Sequence, residues 1–143
     1  MPVVPVTDPA VITVTAGDVG EGSDTVTATI DVRTTADGVH GEIVDGKLYV
    51  QVAAPGNEGG TVTDANGDPI PLTSVSGVTG VPNGDYYVTD VEPSGGSVEL
   101  AYTAADGTVL EPGDVTFTAH AQTQETGAAN QETASASDNA AVE

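Results

Sequence analysis

The chain has 143 residues, no cysteine, and 2 basic against 22 acidic side chains, for a formal net charge of −20. That length suits one domain able to bury a core without covalent staples, and the missing cysteine excludes disulfides, thiolate zinc sites and cysteine nucleophiles. With Arg33 and Lys47 as the only basic residues, no basic patch can neutralise phosphates, so nucleic acid and anionic membrane surfaces are excluded as partners.

In chain order, Met1-Pro2-Val3-Val4-Pro5 carries neither a basic n-region nor an apolar h-region, so no Sec signal is expected here. Residues 1–9 read as an inter-domain connection. Ile12 and Val14 then alternate with Thr13 and Thr15, which predicts a strand. Residues 17–24 are rich in Gly and Asp and read as a loop. Val26, Ala28, Ile30 and Val32 face one way and Thr25, Thr27, Thr29 and Asp31 the other, the pattern of a half-buried strand. Glu42-Ile43-Val44 and Lys47 to Ala53 flank Asp45-Gly46, which suits a type I′ turn, so a two-residue hairpin is expected there. Thr61-Val62-Thr63 and Ile70-Pro71-Leu72 flank another turn, residues 64–69.

The second half continues in the same style. A strand is expected from Tyr86 to Val91 after Pro82-Asn83-Gly84-Asp85. Another runs from Ser97 to Thr103 after Ser94-Gly95-Gly96, with Val98, Leu100 and Tyr102 on one face. Turns fall at Ala105-Asp106-Gly107 and Glu111-Pro112-Gly113-Asp114. Val115, Phe117, Ala119 and Ala121 then alternate with Thr116, Thr118, His120 and Gln122. After residues 126–130 comes a last weak strand whose inward row is Ala134 and Ala136. No segment carries a helical apolar stripe, and no apolar run nears the roughly 18 residues of a membrane span.

These segments predict an all-β fold, a single antiparallel β-sandwich of immunoglobulin-like, Greek-key type with about eight or nine strands. One domain spans 1–143, with 1–9 and 139–143 as linker or frayed ends. Val26, Ile30, Val32, Leu48, Val50, Leu100 and Phe117 are its expected core.

Chemistry for catalysis is sparse. Only His40 and His120 would titrate near neutral pH. His40 reads as a surface-loop residue, and His120, on a polar row, as solvated or paired across strands. No P-loop, nucleophile elbow, His-Glu-x-x-His or dinucleotide fingerprint occurs. There is no Trp and aromatics are 3%, a poor supply for a sugar-stacking cleft. A non-enzymatic protein is expected.

What remains is oxygen ligation. Ca2+ takes six to eight oxygens from carboxylates, carbonyls and water. Asp64-x-Asn66-x-Asp68 has the alternating spacing of a calcium loop, with Gly67 at the bend. It lacks a terminal bidentate Glu, and Asn66-Gly67 is equally a hairpin signal. A sandwich also collects alternate turns at one pole. Asp18, Glu21 and Asp24 lie in the first loop and Asp138 near the end of the chain, where bound Ca2+ would relieve repulsion among unpaired carboxylates. The competing explanation is a generally acidic, solvated surface, as in a halophile.

The run from Val19 to Ile30, Val-Gly-Glu-Gly-Ser-Asp-Thr-Val-Thr-Ala-Thr-Ile, is similar to the opening of bacterial surface repeats including Calx-β modules. Residues 63–70 and 81–88 resemble hairpins of bacterial immunoglobulin-like repeats, and residues 115–123 fit the same setting. Together they resemble an internal domain of the giant repeats-in-toxin (RTX) adhesins. The resemblance implies type I export to the cell surface, calcium that rigidifies the domain, neighbouring domains of the same chain as partners, and a monomer in isolation. The implied role is to extend or position a ligand-binding module. Two alternatives compete with it. One is a glycan- or peptide-binding module with an open calcium position beside an exposed Tyr86 or Tyr87. The other is an acidic surface or virion protein of a halophile.

Overall fold

The computed structural model describes residues 10–20, 22–33, 41–78, 80–92, 95–105, 108–125 and 131–142. Residues 1–9, His40, Asp106 and the expected turn at 126–130 lie outside them. Ten strands form: β1 (Val11–Ala16), β2 (Thr25–Arg33), β3 (Gly41–Ile43), β4 (Lys47–Ala53), β5 (Thr61–Thr63), β6 (Leu72–Val75), β7 (Gly84–Asp90), β8 (Gly95–Thr103), β9 (Gly113–Glu125) and β10 (Glu132–Val142). Every strand pairing is antiparallel. No α-helix occurs among the described residues.

The strands make two facing sheets, β1-β2-β8-β5 and β10-β9-β4-β7-β6, with β3 also against β9. Stripped of β6 and β7, this is the order of a constant-type immunoglobulin sandwich: four strands A-B-E-D as β1-β2-β8-β5, and G-F-C as β10-β9-β4. The β6–β7 hairpin is an addition that widens the second sheet.

Alternation explains the core. In β2, Val26, Ala28, Ile30 and Val32 are buried, while Thr27, Thr29 and Arg33 between and beyond them are exposed. Leu48, Val50, Leu100 and Phe117 fill the space between the sheets, so all seven expected core residues are buried. Ala134 and Ala136 pack half-buried against this core, opposite Ala121 and Ala119 of β9.

Three expectations need correction. The Asp45-Gly46 hairpin does not form. Residues Val44–Gly46 make one 3-10 turn, with Gly46 at φ 60, and the chain continues forward rather than reversing. Both flanking strands then lie in line along β9, with Ile43 opposite Thr123 and Tyr49 opposite His120. The 13-residue β9 is long enough to seat both, and this placement buries Ile43.

The second correction concerns residues 139–143. β10 runs to Val142, paired through Val142 with Gly113, and Ala140 and Val142 are buried. The Ala134 and Ala136 row simply continues through them. Glu143 lies outside the described residues.

Third, residues 61–72 do not form a full hairpin. The turn closes with the Ile70 N–H donating to the Val62 carbonyl (2.8 Å) and a bridge between Thr63 and Pro69. The chain then leaves for the other sheet, where β6 pairs with β7.

Candidate functional site: the clasp between the first and last strands

At the end of β1 the chain changes sheets. The Gly17 N–H still bonds the Thr27 carbonyl of β2 (3.1 Å). Two residues later Val19 is bridged in parallel to Val142 of β10. Three hydrogen bonds make this crossing. The Ala16 N–H donates to the Asp138 carboxylate (2.9 Å), the Ala141 N–H donates to the Asp18 carboxylate (3.1 Å), and the Val19 N–H donates to the Ala141 carbonyl (2.9 Å). Beneath them Val19, Ala140 and Val142 join the core.

Two of the acids proposed as calcium ligands, Asp18 and Asp138, therefore meet in one structure. Each caps a backbone N–H that strand pairing leaves unmatched at the change of sheet. The Ala16 amide is part-buried and needs such an acceptor, whereas the Ala141–Asp18 bond is exposed; a charged acceptor bonds more strongly than a neutral one. Asp138→Ala removes the acceptor of the part-buried Ala16 N–H. Its expected cost is about 1–3 kcal/mol, read by calorimetry at neutral pH. A loss under a few tenths would mean that water replaces the carboxylate.

The other candidates are placed elsewhere. The Asp24 carboxylate accepts the Thr25 hydroxyl (2.9 Å) in an exposed setting, while its carbonyl accepts the Ala104 N–H (2.8 Å). Asp64 closes its own turn, its carboxylate accepting the N–H groups of Asn66 (2.9 Å) and Asp68 (3.0 Å). This is an Asx turn with Gly67 at positive φ. Glu21 lies outside the described residues. Among the described residues no three His, Asp or Glu side chains converge as a metal centre. The two basic side chains are both paired at the surface, Lys47 with Asp90 and Arg33 with Asp31 (3.3 Å), where such pairs add little stability.

Two features escaped sequence reasoning. The first joins Asn57, Gly60 and Tyr102. The Tyr102 hydroxyl donates to the Asn57 carbonyl and accepts the Gly60 N–H (3.0 Å). The Asn57 amide in turn donates to the Glu111 carbonyl (3.2 Å) and accepts the Glu111 N–H (2.6 Å). The only signal was a Tyr on an inward row, whose hydroxyl must find a partner when buried.

The second lies on the outer face of the six-strand sheet. Tyr86 points outward yet is fully buried, packed with Val75 and Val81 and flanked by Tyr49, Val78 and Val88. Its hydroxyl donates to the Pro82 carbonyl (2.7 Å). Tyr86 is thus unavailable as an exposed binding aromatic, and Tyr87 packs half-buried on the main core. His120 lies edge-on to Tyr86, with ring centroids 5.7 Å apart, and bonds the Ser135 hydroxyl through Nδ1 (2.9 Å). The cross-strand pairing expected of His120 is present, but His120 is buried rather than solvated.

No protein-family model matches the chain, and no curated protein matches it. Among solved structures, the crystal structure of a DUF4466 family protein from Parabacteroides merdae is similar, with a TM-score of 0.47 and 11% identity. The match covers 92% of this chain and 44% of that one, so the chain spans less than half of that protein's length.

Proposed function

We propose that the chain is a non-catalytic structural domain that carries tension along a larger bacterial surface protein of the RTX-adhesin kind, with Ca2+ adding stability through its acidic loops. The observation that carries this reading is the parallel clasp. A pull on the start of β1 and the end of β10 loads two parallel neighbours from opposite ends. The three clasp hydrogen bonds are then strained together, in shear, instead of opening one after another. Unfolding under force is governed by the unfolding barrier, so this geometry favours mechanical persistence.

Single-molecule pulling tests it. End-to-end loading is expected to need a much higher force than loading applied at Gly20 and at the C-terminus, which opens the clasp from one end. Equal forces in the two geometries would sink the proposal.

Calcium is tested separately. Asp18 and Asp138 each hold a clasp amide with one oxygen and have a second. For a Kd around 0.1 mM, 10 mM Ca2+ would add about 2.7 kcal/mol. For a domain of this size the melting temperature would rise by about 5–10 °C. Calorimetry at matched ionic strength reads it. Equal stabilisation by sodium would leave the acids as a solvated surface and remove calcium from the reading.

A further inference from the structure

The β6–β7 connection is a strap laid across the outer face of the six-strand sheet. Its described residues, 76–78 and 80–83, carry no charge, although the whole chain carries −20. Val78 and Val81 press on Tyr49, Tyr86 and Val88, and the Val81 N–H closes a turn on the Val78 carbonyl (3.0 Å). At its far reach Gly80, at φ 80, touches Thr133 of β10, where a Cβ would come within 2.6 Å of the Thr133 side chain. The strap thus spans the face from β7 to the opposite edge.

On the face that the strap crosses, between Tyr86 and the Ser135 of β10, lies His120, 7% exposed. The groups found against its ring are the Tyr86 ring and the Ser135 hydroxyl, with Tyr49 its neighbour in register on β4. The hydroxyl can accept one hydrogen bond from an imidazolium, but among the described residues no carboxylate is paired with the ring. A cation formed there would be both desolvated and unpaired.

We propose that His120 is an acid-sensitive latch for this strap: its protonation lifts the described strap residues, 76–78 and 80–83, and bares the aromatic patch of Tyr49 and Tyr86. Burial lowers the affinity of His120 for a proton below its ordinary value of 6.5. The sign follows from linkage. With the strap closed the ring stays neutral. With the strap open it takes up a proton as pH falls through 6.5, so acid favours the open form and neutral pH the closed one. One proton allows the open population to rise by up to about tenfold per pH unit below 6.5, until the closed form itself titrates.

The test is an NMR titration of the whole chain from pH 7.5 to 5. The His120 ring should titrate below 6.5. The Val78 and Val81 amides and the Tyr86 ring should shift or broaden with the same midpoint. His120→Gln, which can still bond Ser135, should hold the strap resonances constant, with strand content by circular dichroism unchanged. Should His120→Gln perturb the fold, the wild-type midpoints still decide. Strap signals that stay fixed while His120 titrates would overturn the latch, as would equal changes in a folded His120→Gln.

Discussion

Phe117→Ala is expected to destabilise the domain by about 3–5 kcal/mol, lowering the melting temperature by about 10–20 °C. Phe117 is the chain's one phenylalanine and is fully buried. It sits in β9, whose hydrogen bonds join β10 on one side and β4 on the other, opposite Asp138 and Val52. Rigid strands on both flanks keep the cavity from collapsing, so the cost should fall in the upper part of the range for large-to-small changes. Thermal unfolding by calorimetry checks it. A cost under about 1 kcal/mol would mean that the sheets close over the gap.

The second large effect is expected at the Tyr102 junction. Tyr102→Phe keeps the ring but leaves the Gly60 N–H and the Asn57 carbonyl without their partner. Each orphaned group costs about 1–3 kcal/mol when water cannot reach it. Gly60→Ala attacks the same point sterically, because its Cβ would collide with the Thr103 carbonyl oxygen and the Tyr102 ring. A backbone carbonyl held by strand pairing cannot move aside, so a cost of about 1–3 kcal/mol or more is expected. Since the two changes share Tyr102, the double variant should lose less than the sum of the single ones. Denaturant unfolding of the three variants reads this coupling, and strict additivity would mean that the two residues act independently.

Sandwich and core were legible because a period of two survives wherever one face is buried. The rows of β2 and β9 could be placed from the sequence without ambiguity. Asp45-Gly46 misled because Asp-Gly permits either a reversal or a kink. Which one forms depends on whether β9 offers room for both flanking strands, and that is information 75 or more residues downstream, at His120 and Thr123. Tyr86 misled because alternation assigns a face, not its cover. Its outward face is covered by the strap, whose Gly and Val residues carry no periodic pattern that announces a cover. Asp18 and Asp138 were singled out for their charge and their positions near the chain's ends. Their work as amide acceptors follows from a change of sheet at Gly17–Val19 that no local pattern announces.

The clasp also dictates when the domain can lock. It joins Ala16 to Asp138 across 122 positions and Asp18 to Ala141 across 123, close to the longest separation the chain allows. Closure of so large a loop is slow, because its entropy is lost before any contact compensates it. A chain emerging from a ribosome or threading through an export channel, from either end, lacks one half of the clasp until nearly all of it has passed. Up to that moment β1 lacks its β10 partner, and the clasp closes only as the last strand arrives.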